Sequence, residues 1–104
     1  MKSLVLLYRD NNHELVIKNY PQVKDNKEYY VIGKSWYGSN VGIKKSCMEQ
    51  ILTKNTYRYE YHMFLPDVIK DYYWNQTMFM FVNKTQYDKN PIYYQDMIMN
   101  YREE

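Results

Sequence analysis

The side chains best suited to nucleophilic or acid–base chemistry are one cysteine, Cys47, and two histidines, His13 and His62. A thiolate beside an imidazole would form a covalent nucleophile. Cys47, however, lies beside Met48 and Ile51 on a predicted apolar helix face, where an unpaired cysteine is usually a small buried hydrophobe. His13 falls in a predicted turn, so we expect it to be exposed. These residues do not predict a nucleophilic enzyme.

Glu60 and His62 are the remaining acid–base candidates, because they share one face of an alternating segment, residues 56–64. Such a pair can exchange protons with a substrate. The same pattern is more typical of solvated neighbours on the exposed face of a strand. A small enzyme that uses Glu60 and His62 is therefore kept as an alternative function.

Motifs for metals and cofactors are incomplete. A single cysteine excludes a cysteine-rich zinc site, and no histidine or carboxylate spacing suits another metal. Gly33, Lys34 and Ser35 match the end of a phosphate-binding loop, but Glu28 stands where that loop needs its first glycine. We expect no catalytic site, no metal and no cofactor.

The opposite face of the same alternating segment carries three tyrosines, Tyr57, Tyr59 and Tyr61. The chain has 14 tyrosines, and a buried hydroxyl without a partner costs about 1–3 kcal/mol, so we expect several rings at the surface. Tyrosine and tryptophan dominate binding hot spots because they bring large contact area with few rotatable bonds. We predict a partner-binding surface formed by these three tyrosines with Trp36 and Tyr37 of a neighbouring turn.

Direct binding of single-stranded nucleic acid is the main rival function, because aromatic rings on a sheet can stack bases, each contributing about 1–3 kcal/mol. Lys34, Lys44, Lys45 and Arg58 would then contact phosphates. The net charge of +2, from 14 basic and 12 acidic residues, is too small for a dedicated duplex-DNA binder.

The composition suggests an origin as well as a role. The chain has no alanine and is rich in tyrosine, lysine, asparagine and isoleucine, a bias typical of AT-rich genomes. Small proteins of such genomes are often encoded by phages or mobile elements. The apolar run after Lys2 is too short for a signal peptide, and no run reaches the ~18 residues of a membrane span, so we expect a cytoplasmic protein with no membrane association.

The leading hypothesis combines these points. It describes a small non-enzymatic binding protein, encoded by a phage or mobile element, that inhibits a host nucleic-acid or defence enzyme by steric occupation of a site. The proteins that counter restriction or CRISPR systems are of this type. A host or partner protein is the expected binding partner, and the sequence is also compatible with a homodimer.

The first half of the chain predicts strands joined by tight turns. Residues 3–8 form a dense apolar run of strand length, and residues 14–18 form a second strand. Between them, residues 10–13 have turn chemistry, since Asn and Asp tolerate left-handed backbone. Pro21 is predicted to end the second strand, and residues 28–36 form a third.

Residues 41–52 allow two interpretations. Five apolar residues have helical spacing and favour one helix from residue 41: Ile43, Cys47, Met48, Ile51 and Leu52. Ser46 and Glu49 instead fit a capping box, which places a strand at residues 41–45 and a helix after Ser46. We prefer the second, because Gly42 weakens a helix by about 1 kcal/mol relative to alanine.

The second half completes an α+β plan for one compact domain, residues 1–104. Residues 56–64 form a strand, Pro66 begins a helix, and residues 77–82 are apolar on both faces, as in a central strand. Asn90 and Pro91 begin a helix with a buried stripe at Tyr94, Met97, Ile98 and Tyr101. We predict a mainly antiparallel sheet of about four to six strands, with two or three short helices packed on one side.

Overall fold

The computed structural model describes residues 2–10, 12–34, 40–52 and 78–102. Its strands are β1 (Lys2–Arg9), β2 (Leu15–Asp25), β3 (Tyr29–Lys34), β4 (Asn40–Lys44) and β5 (Phe79–Asn83), and its helices are α1 (Lys84–Lys89) and α2 (Pro91–Asn100). The strands form one curled antiparallel sheet in the order β4-β3-β2-β1-β5, so the α+β prediction is confirmed. Within the described ranges, no helix is long and apolar enough to cross a membrane.

Both faces of β1 are buried, as its apolar sequence predicts. On one face, alternate residues of β1 and β5 form an inner core with residues that the curl of the sheet brings over them. This inner core contains Leu4, Leu6, Tyr8, Val23, Tyr30, Ile43, Cys47, Leu52, Phe79 and Phe81. Each fully buried Leu or Phe side chain stabilises the fold by about 1.5–3 kcal/mol relative to an exposed one.

The opposite face of β1 and β5 packs against the helices. This helix-side core contains Val5, Leu7, Met78, Met80, Val82, Tyr94 and Ile98. Tyr94 and Ile98 lie one helical turn apart on α2, and Met97 and Tyr101 pack beside them, so the predicted stripe is confirmed. The helix α1, which the sequence did not predict, adds Tyr87 to the same face.

The turn between β1 and β2 forms as predicted. The carboxylate oxygen Oδ1 of Asp10 accepts hydrogen bonds from the backbone amides of Asn12, at 2.8 Å, and Glu14, at 3.0 Å. His13 is exposed and has a positive φ of 61°, which the turn requires. The side chain of Asp10 therefore fixes the hairpin that joins the two strands.

The second strand does not end at Pro21, and the structure corrects that prediction by extending β2 to Asp25. The register between β1 and β2 shifts between Lys2 and Leu4, because β2 holds one extra residue there. Such a bulge leaves a residue outside the hydrogen-bond ladder, so proline's missing amide hydrogen costs little at this point. The hydroxyl of Ser3 donates to the carbonyl oxygen of Pro21 at 2.9 Å.

Residues 40–52 confirm the preferred strand and correct the predicted helix. β4 is extended, and a single 3-10 turn, Lys45–Cys47, follows it. The chain then reverses at Glu49, whose φ is 64°, instead of continuing as a helix after Ser46. The predicted capping box is therefore wrong.

The segment after this turn lies along the outer edge of β5. The amides of Glu49 and Leu52 donate to the carbonyl oxygens of Phe81 and Phe79, both at 2.8 Å, and the Phe79 amide donates back to Leu52 at 3.1 Å. β5 is thus last in the strand order, yet it has backbone partners on both edges and is buried on both faces. The expectation of a doubly buried strand is confirmed, although its position in the sheet is not central.

Candidate functional site

A polar cleft opens where β1 and β5 separate. The pairing of these two strands ends at Leu4 and Asn83. β1 continues back to Lys2 along β2, whereas β5 turns directly into α1. The two segments therefore diverge and leave a cleft of about 540 Å³ between them.

The side chains around this cleft are all polar, and none is acidic. They are Lys2, Ser3, Asn83, Lys84, Thr85 and Gln86. The volume lies within the range of roughly 300–1,000 Å³ that is usual for small-molecule sites. The two lysines give the lining a positive charge.

Asn83, one of the residues that line the cleft, has an unusual environment. It occupies the position before α1, where an asparagine normally accepts a hydrogen bond from the first helical turn. Its side chain makes no such bond, and its oxygen Oδ1 is buried without a partner. A buried acceptor in this state costs about 1–3 kcal/mol.

The two lysines of the cleft differ in how they are held. Lys84 forms an ion pair with Asp88 one turn along α1, with its Nζ at 2.7 and 2.8 Å from the two carboxylate oxygens. Lys2 Nζ lies 6.0 Å from the centre of the Tyr30 ring, at the outer limit of a cation–π contact. The Lys2 ammonium is thus the less restrained of the two.

The lysines predicted to contact nucleic acid are not brought together as one group. In the β3–β4 hairpin, Lys34 pairs with Asn40 at one end and Lys44 pairs with Tyr29 at the other, about 16 Å apart along the strand. Lys45 forms an ion pair with Asp25.

Lys45 is also held by an aromatic ring. Its Nζ lies 5.1 Å from the centre of the Tyr30 ring, so its charge already has two partners. Tyr30 itself is buried, with 7% of its surface exposed. This arrangement makes Lys45 a structural contact that joins the 3-10 turn to the end of β2 and to the inner core.

The predicted partner-binding and acid–base residues lie outside the described ranges. These are Trp36, Tyr37, Tyr57, Tyr59, Tyr61, Arg58, Glu60 and His62. Their proposed roles stay predictions. Cys47 lies within the described residues and is 3% exposed in the inner core, which confirms its expected burial.

The second exposed feature is one side of α2. Ile92 is 62% exposed, Tyr93 54% and Met99 39%, although the opposite side of the same helix is buried. The ring of Tyr93 packs edge-on against the ring of Tyr94, with centres 5.1 Å apart. We call Ile92, Tyr93 and Met99 the α2 surface.

The hydroxyl of Tyr94 connects this helix to the turn after β4. It donates a hydrogen bond to Oε1 of Glu49 at 2.9 Å. Burial raises the pKa of Tyr94 above its usual value, and the hydrogen bond to the Glu49 carboxylate raises it further. Tyr94 is therefore a fixed support behind Tyr93.

Arg9 fixes the other end of α2. Its Nη2 donates to the carbonyl oxygen of Tyr101 and contacts the sulfur of Met78, both at 3.0 Å. An arginine at the C-terminal end of a helix also interacts favourably with the helix dipole. The helix that carries the α2 surface is thus held by the turn after β4 at Tyr94 and by Arg9 of β1 at its C-terminal end.

The sequence analysis predicted neither the polar cleft nor the α2 surface, and the reasons differ. The α2 surface had a detectable signal, since Ile92, Tyr93 and Met99 are apolar residues outside the predicted buried stripe. The cleft had no such signal, because it depends on the pairing of β1 with β5, two strands that are far apart in the sequence.

Within the described residues, no three His, Cys, Asp or Glu side chains converge as metal ligands.

Comparison with known proteins adds no relative from which a role could be transferred: no family profile, curated protein or solved structure matches the chain.

Proposed function

We propose that this chain is a small non-enzymatic binding protein that acts by occupying a site on a partner protein. The α2 surface is the observation that carries the proposal. Three large apolar side chains are exposed together on a helix of ten residues. Aromatic residues and methionine are enriched at protein interfaces, where they displace water over a large area.

The spacing of the α2 residues gives this surface a defined layout. Ile92, Asp96 and Met99 are separated by four and three residues, so they follow one another along one side of the helix. Tyr93 lies beside them, and its ring is supported by Tyr94. An apolar patch with one central carboxylate fits a partner surface that has an apolar groove and a basic residue near its centre.

Charge favours a protein partner over nucleic acid at this surface. Asp96 is the only charged residue in α2, so the helix carries a negative charge. Phosphate groups would be repelled by it, whereas a lysine or arginine of a protein would be attracted. Binding of single-stranded nucleic acid is therefore the competing hypothesis, and the experiment below distinguishes it from binding of a protein.

The predicted tyrosine row extends the same proposal. Tyr57, Tyr59 and Tyr61 would supply a second aromatic contact, with Trp36 and Tyr37 beside them. The composition of the chain supports a phage or mobile-element origin, and in such a setting the proposed target is a host nucleic-acid or defence enzyme. The inhibition would be steric and would need no chemistry from this chain.

A comparison of surface variants tests the proposal. The purified protein is immobilised and exposed to a nuclease-treated lysate of an AT-rich bacterium, in parallel with the variants Ile92→Ser/Met99→Ser and Ile17→Ser. Ile17 is a matched control, because it is also 39% exposed but lies in β2. We expect a protein that is retained by the wild type and the control and lost by the α2 variant.

The retained protein is then purified and mixed with the chain in a defined assay. A stoichiometric complex that blocks an activity on nucleic acid would support inhibition by occupation. Equal loss of binding in the α2 variant and in the Ile17 control would contradict a role for the α2 surface. Saturable, salt-sensitive binding of single-stranded oligonucleotides without any protein partner would replace the proposal with its rival.

A further inference from the structure

The strand β2 has a strand beside it on both edges over only part of its length. It pairs with β1 from Leu15 onwards, whereas β3 pairs with it only at Lys24 and Asp25. Within the described residues, the edge of residues 15–20 that faces away from β1 therefore has no neighbouring strand. We call it the open edge of β2.

The direction of the backbone groups in β2 follows from hydrogen bonds at the opposite side of the sheet. Phe79 exchanges two backbone hydrogen bonds with Leu52, so its amide and carbonyl point away from β1. These directions alternate along an antiparallel strand, so Met80 points toward β1 and its partner Leu7 points toward β5. The residues on either side of Leu7 therefore bond to β2.

The same alternation continues into β2. Leu6 lies opposite Lys18, so the backbone groups of Lys18 bond to β1. The bond from the Asp10 amide to Glu14 in the turn fits this alternation. None of the backbone bonds between described residues reaches the groups that point the other way. Three residues each direct an amide and a carbonyl to the open edge: Leu15, Ile17 and Asn19.

The open edge has defined ends and an apolar centre. It stops at Pro21, which has no amide hydrogen, and at the turn that contains His13. Within the described ranges, the large apolar side chains that are exposed are Ile17, at 39%, and those of the α2 surface. An unpaired edge with an exposed apolar residue is a template for a further strand.

We propose that the open edge pairs with the same edge of a second copy of this chain, antiparallel and centred on Ile17. Ile17 then lies opposite Ile17 of the second copy, and Leu15 lies opposite Asn19. These are three pairs with two hydrogen bonds each, so all the outward backbone groups are satisfied. Val16 lies opposite Lys18, which keeps like charges from facing each other directly.

The neighbouring registers fit less well, and this selects a second copy as the occupant. A register centred one residue later places Lys18 opposite Lys18 and sets Leu15 against Pro21, which has no hydrogen to donate. A register centred one residue earlier sets Asn19 against His13 in the turn. The open edge is thus complementary to itself in one register, as a twofold contact requires.

Amide hydrogen exchange of the full chain, followed by NMR at micromolar and millimolar protein concentrations, tests this pairing. The amides of Leu15, Ile17 and Asn19 should exchange at least about tenfold more slowly at the high concentration, because the dimer protects them. The amides of Val16 and Lys18 bond to β1 and should be protected at both concentrations. Sedimentation equilibrium over the same range should show a monomer that converts to a dimer.

Two substitutions at Ile17 and one control assign the dimer to this edge. Ile17→Lys sets two charges directly opposite each other at a position that is already exposed, and should weaken the dimer at least about tenfold. Ile17→Pro removes the central amide hydrogen and should abolish the dimer. Gln86→Lys adds the same charge at an exposed position of α1 and should leave the dimer unchanged.

Several results would overturn the inference. Protection of the three outward amides in the monomer would mean that another part of the same chain covers the edge. A monomer at millimolar concentration with these amides unprotected would exclude a second copy as the occupant. Concentration-dependent protection in β4 or α2 instead, or equal dimer affinity of Ile17→Lys and Gln86→Lys, would place the contact elsewhere.

These measurements use the chain alone, so they do not depend on the proposed function. The Ile17→Ser control of the pull-down keeps every outward backbone group and an intact α2 surface. Loss of the dimer and loss of the partner protein are therefore read out separately.

Discussion

Glu49 offers a sharp test of how the turn after β4 is held. Its backbone has a φ of 64°, a left-handed conformation that costs a residue other than glycine about 1–2 kcal/mol. Its carboxylate accepts the hydroxyl of Tyr94 at 2.9 Å, and its amide donates to Phe81 at 2.8 Å. The side-chain contact and the strand pairing thus stabilise a backbone conformation that is unfavourable by itself.

Substitution at this position separates strain from hydrogen bonding. Glu49→Ala keeps the strain and loses the hydrogen bond to Tyr94, so it should lower the free energy of unfolding by about 1–2 kcal/mol. Glu49→Gly loses the same bond but adopts a positive φ at no steric cost. We expect the glycine variant to be about 1 kcal/mol more stable than the alanine variant.

A double-mutant cycle with Tyr94→Phe isolates the hydrogen bond. Each single variant should lose about 1 kcal/mol or more, and the double variant Glu49→Ala/Tyr94→Phe should lose little more than either. Urea denaturation followed by circular dichroism resolves these differences, since 1 kcal/mol moves the midpoint by about 0.3–1 M. Equal stability of the alanine and glycine variants would refute the strain argument. Additive losses in the cycle would refute the hydrogen bond.

Three further predictions concern the sheet, the tyrosines and the cleft. Gly42→Ala should cost more than about 1 kcal/mol in urea denaturation, because its Cβ would lie 2.8 Å from a backbone oxygen. Gly33→Ala meets nothing within 4 Å and should stay within about 0.5 kcal/mol, and equal effects would contradict this packing. Burial raises the pKa of Tyr20 and Tyr94, so the stability that these two neutral hydroxyls contribute should be fully present below pH ~10 and be lost above it; urea midpoints that show no loss across the alkaline range would contradict this direction. Asn83→Leu removes an unpartnered buried oxygen and should raise the free energy of unfolding by about 1 kcal/mol; a destabilised variant would contradict the burial of an unsatisfied acceptor.

Strands, turns and helix starts that depend on residues close together in the sequence were predictable from it. The run that became β1 is apolar at every position from Leu4 to Leu7, and all of these residues are fully buried. The turn at Asp10 depends on a side chain that bonds its own neighbouring amides. The start of α2 follows from Pro91, whose ring favours the first helical position.

Residues 41–52 show where a local pattern misleads. Their apolar residues recur at helical spacing, yet Ile43 and Cys47 reach the inner core from a strand and a 3-10 turn. Leu52 reaches it by pairing with Phe79 of β5. The spacing predicted burial correctly and secondary structure incorrectly, because the hydrogen bonds to β5 depend on a strand that is distant in sequence. Pro21 was misread for a related reason, since a bulge accommodates it inside β2.

The polar cleft and the α2 surface each contain a residue whose environment is unfavourable for the folded state. Asn83 stands before a helix without capping it and buries an acceptor with no partner. Ile92 leaves 62% of an apolar side chain in water on a helix whose other side buries Tyr94 and Ile98. Proteins usually retain such costs where a ligand or partner compensates for them.

The helix α1 connects these two places physically. Its first residues line the cleft, and Tyr87 in its middle accepts a hydrogen bond from Gln95 of α2 at 2.8 Å. The Tyr87 ring also packs against Tyr94, which supports Tyr93. The start of α1 and the α2 surface are therefore joined by one hydrogen bond and two ring contacts, and a substitution in Tyr87 is expected to disturb the support of Tyr93.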